Sequence, residues 1–157
     1  MSLIFKYLQH GNPTITEKIL RALPDWFGIE EATLEYIQNS TKFPMVVAYE
    51  NNIPVGFLSI KKHSPFTSEI YVMGVAPDYH RKGVGKNILS ECERILAQNK
   101  TEFLQVKTLD ESRENEEYRR TRLFYKTMGF REVEVFPTLW GEANPCLLLI
   151  KKINDSK

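Results

Sequence analysis

The stretch Glu69-Ile-Tyr-Val-Met-Gly-Val-Ala-Pro-Asp-Tyr-His-Arg-Lys-Gly-Val-Gly-Lys86 decides how this chain is read. Residues 69–75 run through β-branched and aromatic types, and Pro77-Asp78 supplies the turn chemistry that ends a strand. From Val84 the apolar period changes. Val84, Ile88, Leu89, Cys92, Ile95 and Leu96 recur at helical spacing, while Lys86, Asn87, Glu91, Glu93 and Arg94 fill the other face. Gly83 and Gly85 therefore fall in the first turn of a helix, where backbone N–H groups lack intrahelical acceptors and point outward. Two glycines let a diphosphate approach those amides, and Arg81, Lys82 and Lys86 set cations beside them. Other phosphate motifs do not fit. A dinucleotide fingerprint needs a third glycine where Ile88 stands, and a P-loop needs Ser or Thr where Asn87 stands.

Downstream, Leu123-Phe-Tyr-Lys-Thr-Met-Gly-Phe130 reads as a helix end capped by Gly129 and followed at once by a strand. Upstream, a strand over Leu3–Tyr7 leads to a helix opened by Pro13, with Thr14 and Glu17 spaced as a capping box. A second helix is expected over Ile29–Gln38. Strands at Met45–Tyr49 and Pro54–Lys61 are joined by Asn51-Asn52, a pair suited to the positive φ of a tight hairpin. Phe103–Thr108 alternates like a strand, Tyr118–Met128 is helical, and Phe130–Phe136 and Cys146–Ile153 complete the set. The order is β-α-α-β-β-β-α-β-α-β-β, with no repeat and no interdomain linker.

The run His80-Arg81-Lys82-Gly83-Val84-Gly85 resembles the acyl-CoA-binding motif of the GNAT superfamily of N-acetyltransferases: Gln or Arg, two variable residues, Gly, one residue, then Gly or Ala. It departs from that pattern in placing His80 in the first slot. The Phe124-Tyr125 to Gly129-Phe130 element resembles the tyrosine-containing segment that closes the cofactor site of the same superfamily. The resemblance implies a single GNAT domain over residues 1–157, of α/β (α+β) class. It would have a mixed, mostly antiparallel central sheet of about seven strands, helices on both faces, and a splayed central strand pair carrying Tyr71 and Val106. It implies acetyl-CoA as cosubstrate, held by Met73, Gly74, Val75, Arg81, Lys82, Gly83, Val84, Gly85 and Lys86. The asparagine that often stands seven residues before the family tyrosine is Tyr118 here.

Composition bounds the rest. A chain of 157 residues with 42% hydrophobic content suits one soluble domain, and a net charge of +1 leaves no basic footprint for nucleic acid or a membrane surface. The N-terminus lacks the apolar core of a signal peptide, and no run reaches membrane-spanning length, so a cytoplasmic location is expected. Cys92 and Cys146 read as small buried hydrophobes, and no spacing suggests a metal site.

Acetyl transfer from a thioester to an amine meets three chemical problems. The amine arrives protonated: at an ordinary pKa of about 10.4 its neutral form costs roughly 4.6 kcal/mol at pH 7. Glu69 is the candidate base, because strand alternation puts Glu69, Tyr71, Met73 and Val75 on one side, and relatives carry a glutamate base at the matching position. Gln105 stands where other relatives carry theirs. The thioester oxygen gathers negative charge, which a backbone N–H of Met73-Gly74-Val75 is expected to stabilise, with Gly74 small beside the ligand or marking a bulge. The departing thiolate needs a proton, and by resemblance Tyr125 is the general acid.

For the acceptor, the family implies the loop between the first two helices and the loop between the last two strands. These hold Trp26, Phe27, Trp140 and Asn144, with carboxylates nearby. The expected function is acetyl transfer from acetyl-CoA to a primary amine, chiefly of a small molecule, in a ternary complex. A protein lysine or N-terminal acetyltransferase and a non-catalytic acyl-CoA sensor are the alternatives, and a monomer and a homodimer both stay open.

Overall fold

The computed structural model describes residues 1–153. Its strands are β1 (Leu3–Leu8), β2 (Met45–Glu50), β3 (Ile53–Lys62), β4 (Thr67–Val75), β5 (Phe103–Leu109), β6 (Arg131–Phe136) and β7 (Cys146–Lys152). Its helices are α1 (Pro13–Arg21), α2 (Glu30–Asn39), α3 (Val84–Gln98) and α4 (Glu116–Thr127). The strands form one sheet in the order β1-β2-β3-β4-β5-β7-β6. Every neighbouring pair is antiparallel except β4 and β5, which run parallel.

Helices cover both faces, which explains why β2 and β3 read as unbroken apolar runs instead of alternating ones. On one face Ile15, Ile19 and Leu20 of α1 and the following Leu23 pack on Met45, Val47, Phe57 and Val72. On the other, Val84, Ile88, Leu89, Cys92 and Leu96 of α3, with Tyr125 of α4, pack on Val46, Leu58, Ile70, Leu104, Val106 and Leu149. Both cysteines are free and buried. No described helix is long and apolar enough to cross a membrane.

Two local readings change. The cap of α1 is Asn12, whose side chain accepts the Thr14 N–H at 2.9 Å, so the Thr14/Glu17 capping box does not form. An asparagine immediately before a proline reaches the free amide of the first turn with the shorter geometry. Glu17 pairs instead with Arg21, one turn on. At the β2–β3 hairpin Asn51 and Asn52 take φ of 50° and 67°, as their residue types predict.

The second change concerns β4. Its register with β3 passes from Ile60↔Ile70 to Ser59↔Val72, leaving Tyr71 as an extra residue. A bulge reverses the alternation beyond it. Ile70 faces α3, whereas Tyr71 and Val72 both pack in the α1 cluster, and Met73 and Val75 return to the α3 side. Glu69 and Tyr71 therefore share a face that Met73 and Val75 do not, contrary to simple alternation.

Candidate active site

The site grows from the one parallel seam. β4 and β5 pair at Thr67↔Phe103, Ser68↔Leu104, Glu69↔Gln105 and Ile70↔Val106, and pairing stops there. Tyr71–Val75 and Lys107–Leu109 diverge, opening a wedge in the middle of the sheet. Alternation of hydrogen-bonded pairs tells which main-chain groups line it. The Ala76 N–H bonds the Val55 carbonyl at 2.8 Å, so Gly74 bonds back to Phe57 while Met73 and Val75 direct N–H and C=O into the wedge. Gly74 has another reason to be small: a Cβ there would lie 3.0 Å from side-chain atoms of both Ile19 and Leu23. Its size is set by α1 packing against β4, and the bulge sits at Tyr71.

At the outer end of the wedge, α3 begins at Gly83 in the left-handed conformation, φ 77°. The first bond of the helix runs from the Asn87 N–H to the Gly83 carbonyl, so the N–H groups of Val84, Gly85 and Lys86 have no helical acceptor. A Cβ on Gly83 would meet nothing within 4 Å, so the space beside these amides is open. Gly85 differs, because a Cβ there would lie in ordinary contact with the Phe124 ring at 3.6 Å. Arg81, Lys82 and Lys86 are exposed around this cradle. These features suit a diphosphate. His80, in the motif's irregular slot, donates through Nε2 to the Val75 carbonyl at 2.6 Å and ties the cradle to the end of β4.

Glu69 is 5% exposed and lies on the last pairs of the seam. Oε1 takes His63 Nε2 at 2.6 Å, Gln105 Nε2 at 3.0 Å and Lys107 Nζ at 3.3 Å, while Oε2 takes none of these donors. Lys107 follows Val106, the last β5 residue paired with β4, and the pitch of the strand puts it on the same face as Gln105. Neither His63 nor Lys107 stands out in the sequence. The signal for His63 was its place opposite Thr67 in the hairpin, diagonal to Glu69, and it becomes visible only once the register is known.

Tyr125 is buried, its ring edge-on to Phe124 at 5.4 Å and to Phe130 at 5.5 Å between centroids. Burial raises its phenol pKa, and the neighbouring Tyr118 and Tyr36 hydroxyls raise it further. Tyr36 is also raised, by burial first and then by Tyr118 and Tyr71. The phenols of Tyr36, Tyr71, Tyr118 and Tyr125 thus act on one another across the region between α2, α4 and β4. Phe27, Tyr36, Tyr71 and Phe43 continue as edge-to-face pairs, with centroids 6.0, 5.2 and 4.9 Å apart.

The α1–α2 loop is fastened over this region. The Trp26 indole N–H donates to the Thr121 hydroxyl at 3.2 Å and the Glu117 carbonyl at 3.3 Å, and the ring meets His80 edge-on at 5.6 Å. Tyr118 answers by donating its hydroxyl to the Trp26 carbonyl at 2.6 Å. The residue in the family's asparagine position therefore anchors a loop. Tyr118→Phe removes that bond and is expected to cost about 1 kcal/mol, read as a lower urea midpoint with unchanged slope. The β6–β7 loop is tied in by Arg113, which bonds the Asn144 side chain and the Ala143 carbonyl. Trp140 stands at 39% exposure, outside the aromatic chain of the cleft. Among the described residues no group of three His, Cys, Asp or Glu side chains is placed to hold a metal ion.

Comparison with known proteins agrees with this fold. No curated protein sequence matches the chain. The fold superposes on a Desulfovibrio desulfuricans protein assigned to the GNAT family with a TM-score of 0.82 at 16% identity, covering 98% of this chain and 100% of that one. It superposes on an aminoglycoside 6'-N-acetyltransferase complexed with coenzyme A with a TM-score of 0.73 at 17% identity, covering 98% and 99%. For the ribosomal-protein-S18-alanine N-acetyltransferase of Escherichia coli the values are 0.74 and 16%, covering 99% and 97%. Residues 41–132 match the family model of the acetyltransferase (GNAT) domain, a span from β2 into β6 that contains both the wedge and the cradle. The chain belongs to the GNAT family of acetyltransferases.

Proposed function

We propose that this acetyltransferase moves an acetyl group from acetyl-CoA to a primary amine by direct attack within a ternary complex. The observation that carries the reading is the wedge, with Glu69 at its closed end, main-chain groups of Met73 and Val75 along one edge, and the cradle at its mouth. In this reading Arg81, Lys82, Lys86 and the free amides of the α3 first turn hold the diphosphate. The wedge-facing N–H groups take the pantetheine arm and the developing oxyanion. Acetyl-CoA supplies an activated thioester when bound. Glu69 Oε2 accepts the proton of the incoming ammonium, and Tyr125, kept protonated by burial, gives one to the departing sulfur.

A small acceptor is favoured over a protein. The Trp26 loop is bonded to α4 and the β6–β7 loop is bonded through Arg113, so both acceptor-side loops are held in place, which supports a defined pocket for a small amine. The aromatic chain of Phe27, Tyr36, Tyr71 and Phe43 forms one wall. The solved neighbours include an enzyme named for an aminoglycoside and another for an alanine of ribosomal protein S18.

Acetyl-CoA at a hundred times its dissociation constant is expected to stabilise the fold by about 2.7 kcal/mol, seen as a rise in melting temperature. Gly83→Glu places a carboxylate in the open space of the cradle. It is expected to fold, at a cost of about 1 kcal/mol for a side chain at left-handed φ, and to lose the ligand-induced rise. Normal coenzyme binding by that variant would move the cofactor site elsewhere. Release of free CoA with a panel of amines then separates an enzyme from a sensor: no turnover with any amine or peptide would leave only the sensor.

A further inference from the structure

We infer that His63 is a positioning residue for Glu69, holding Oε1 so that Oε2 is presented to the acceptor. The inference rests on Glu69 being the base. Its support is geometric. His63 opens the β3–β4 turn, and that turn is pinned on both sides. The backbone N–H groups of His63 and Ser64 bond the Thr67 carbonyl at 3.0 and 3.2 Å, the Ser64 hydroxyl accepts from Phe66 and Thr67 at 3.2 Å each, and the Phe66 carbonyl accepts from Glu102 and Phe103 of the β5 approach. The imidazole is thereby delivered diagonally across the hairpin to a carboxylate whose side chain is 7% exposed.

A carboxylate only accepts, so the proton in the 2.6 Å contact belongs to His63 Nε2. With Gln105 and Lys107 on the same oxygen, Oε1 is saturated and cannot rotate into the cleft without breaking three contacts. The orienting logic is that of a triad, in which a third group fixes the base.

Other charges around the pair come from each neighbouring element. Lys61 of β3 is the Cα partner of Glu69 and Lys107 reaches in from β5. Tyr71 lies beyond Glu69 on β4, and Glu35 of α2 acts on that phenol. Cys146 of β7 stays a neutral thiol, pushed up to about 11 by burial, with Lys107 opposing and Glu69 adding to the shift.

The test is kcat and KM in five proteins: wild type, His63→Gln, His63→Ala, Glu69→Gln and the His63→Ala/Glu69→Gln double variant. His63→Ala is expected to lower kcat by about 10-fold, a fraction of a general base's contribution, with the KM for acetyl-CoA unchanged. His63→Gln, which keeps an N–H donor, is expected to recover part of that loss. In the Glu69→Gln background His63→Ala is expected to add nothing. No recovery in His63→Gln relative to His63→Ala, or losses that multiply in the double variant, overturns the inference. If Glu69→Gln lowers turnover while His63→Ala does not, His63 only braces the hairpin and the base assignment survives. If Glu69→Gln is itself without effect, the base assignment falls, and with it any action of His63 through Glu69.

Discussion

Glu69→Gln is expected to lower kcat by on the order of 10²-fold at neutral pH, with the deficit shrinking as the pH rises and the acceptor arrives already neutral. The substitution keeps the shape of a side chain that is almost fully buried and removes its capacity to take a proton. It also leaves Lys107 and His63 facing an amide, so the melting temperature should be followed alongside turnover. The informative comparison is between a weakly and a strongly basic amine over roughly pH 6 to 9, since only the strongly basic one depends throughout on a base. Equal losses for both amines would mean that Glu69 is not the base and that desolvation of the acceptor lowers its pKa instead.

Tyr125→Phe is the second large effect, a fall in kcat on the order of 10²-fold with the KM for acetyl-CoA little changed. The phenylalanine ring preserves the edge-to-face contacts with Phe124 and Phe130, which isolates the hydroxyl as the variable. The sign of the pKa shift makes a further demand. Burial and the adjacent Tyr118 and Tyr36 raise the Tyr125 pKa above its ordinary value, so the phenol stays protonated throughout the usable pH range. An alkaline limb in the wild-type profile therefore belongs to another group and should persist in the variant. Unchanged kcat at saturating substrates would leave Tyr125 as a packing residue.

Much of this architecture was legible because the local signals agreed with the global fold. The strand-to-helix change of period at Val84, the paired asparagines at the hairpin and the glycine after α4 each act within a few residues, and each is where the sequence puts it. What escaped depends on contacts distant in sequence. The Tyr71 bulge arises from how β4 meets β3, and no period within β4 announces it. Trp26 reads as a free aromatic on a loop, yet its indole N–H is engaged by α4, more than ninety positions away. Gly74 and Gly85 read alike as ligand-facing glycines. At Gly74 the missing methyl makes room for α1, whereas a methyl at Gly85 would make only an ordinary contact with Phe124. The convergence on Glu69 was half visible, since the carboxylate stands out on its strand, whereas His63 and Lys107 become its partners only through the register of two neighbouring strands.

The seam between β4 and β5 has a bearing on cooperativity. Four residue pairs join an antiparallel ribbon of β1–β4 to a second ribbon of β5–β7. The core beneath α3 and α4 spans the join, but the ladder itself is thin there, and opening at that line would release few backbone bonds. A pantetheine arm lying along the Met73 and Val75 edge would pair with the sheet much as an added strand does. The cosubstrate would then act as a stitch as well as a reactant, coupling the two ribbons so that each turnover cycle alternates between a loosely and a firmly joined sheet.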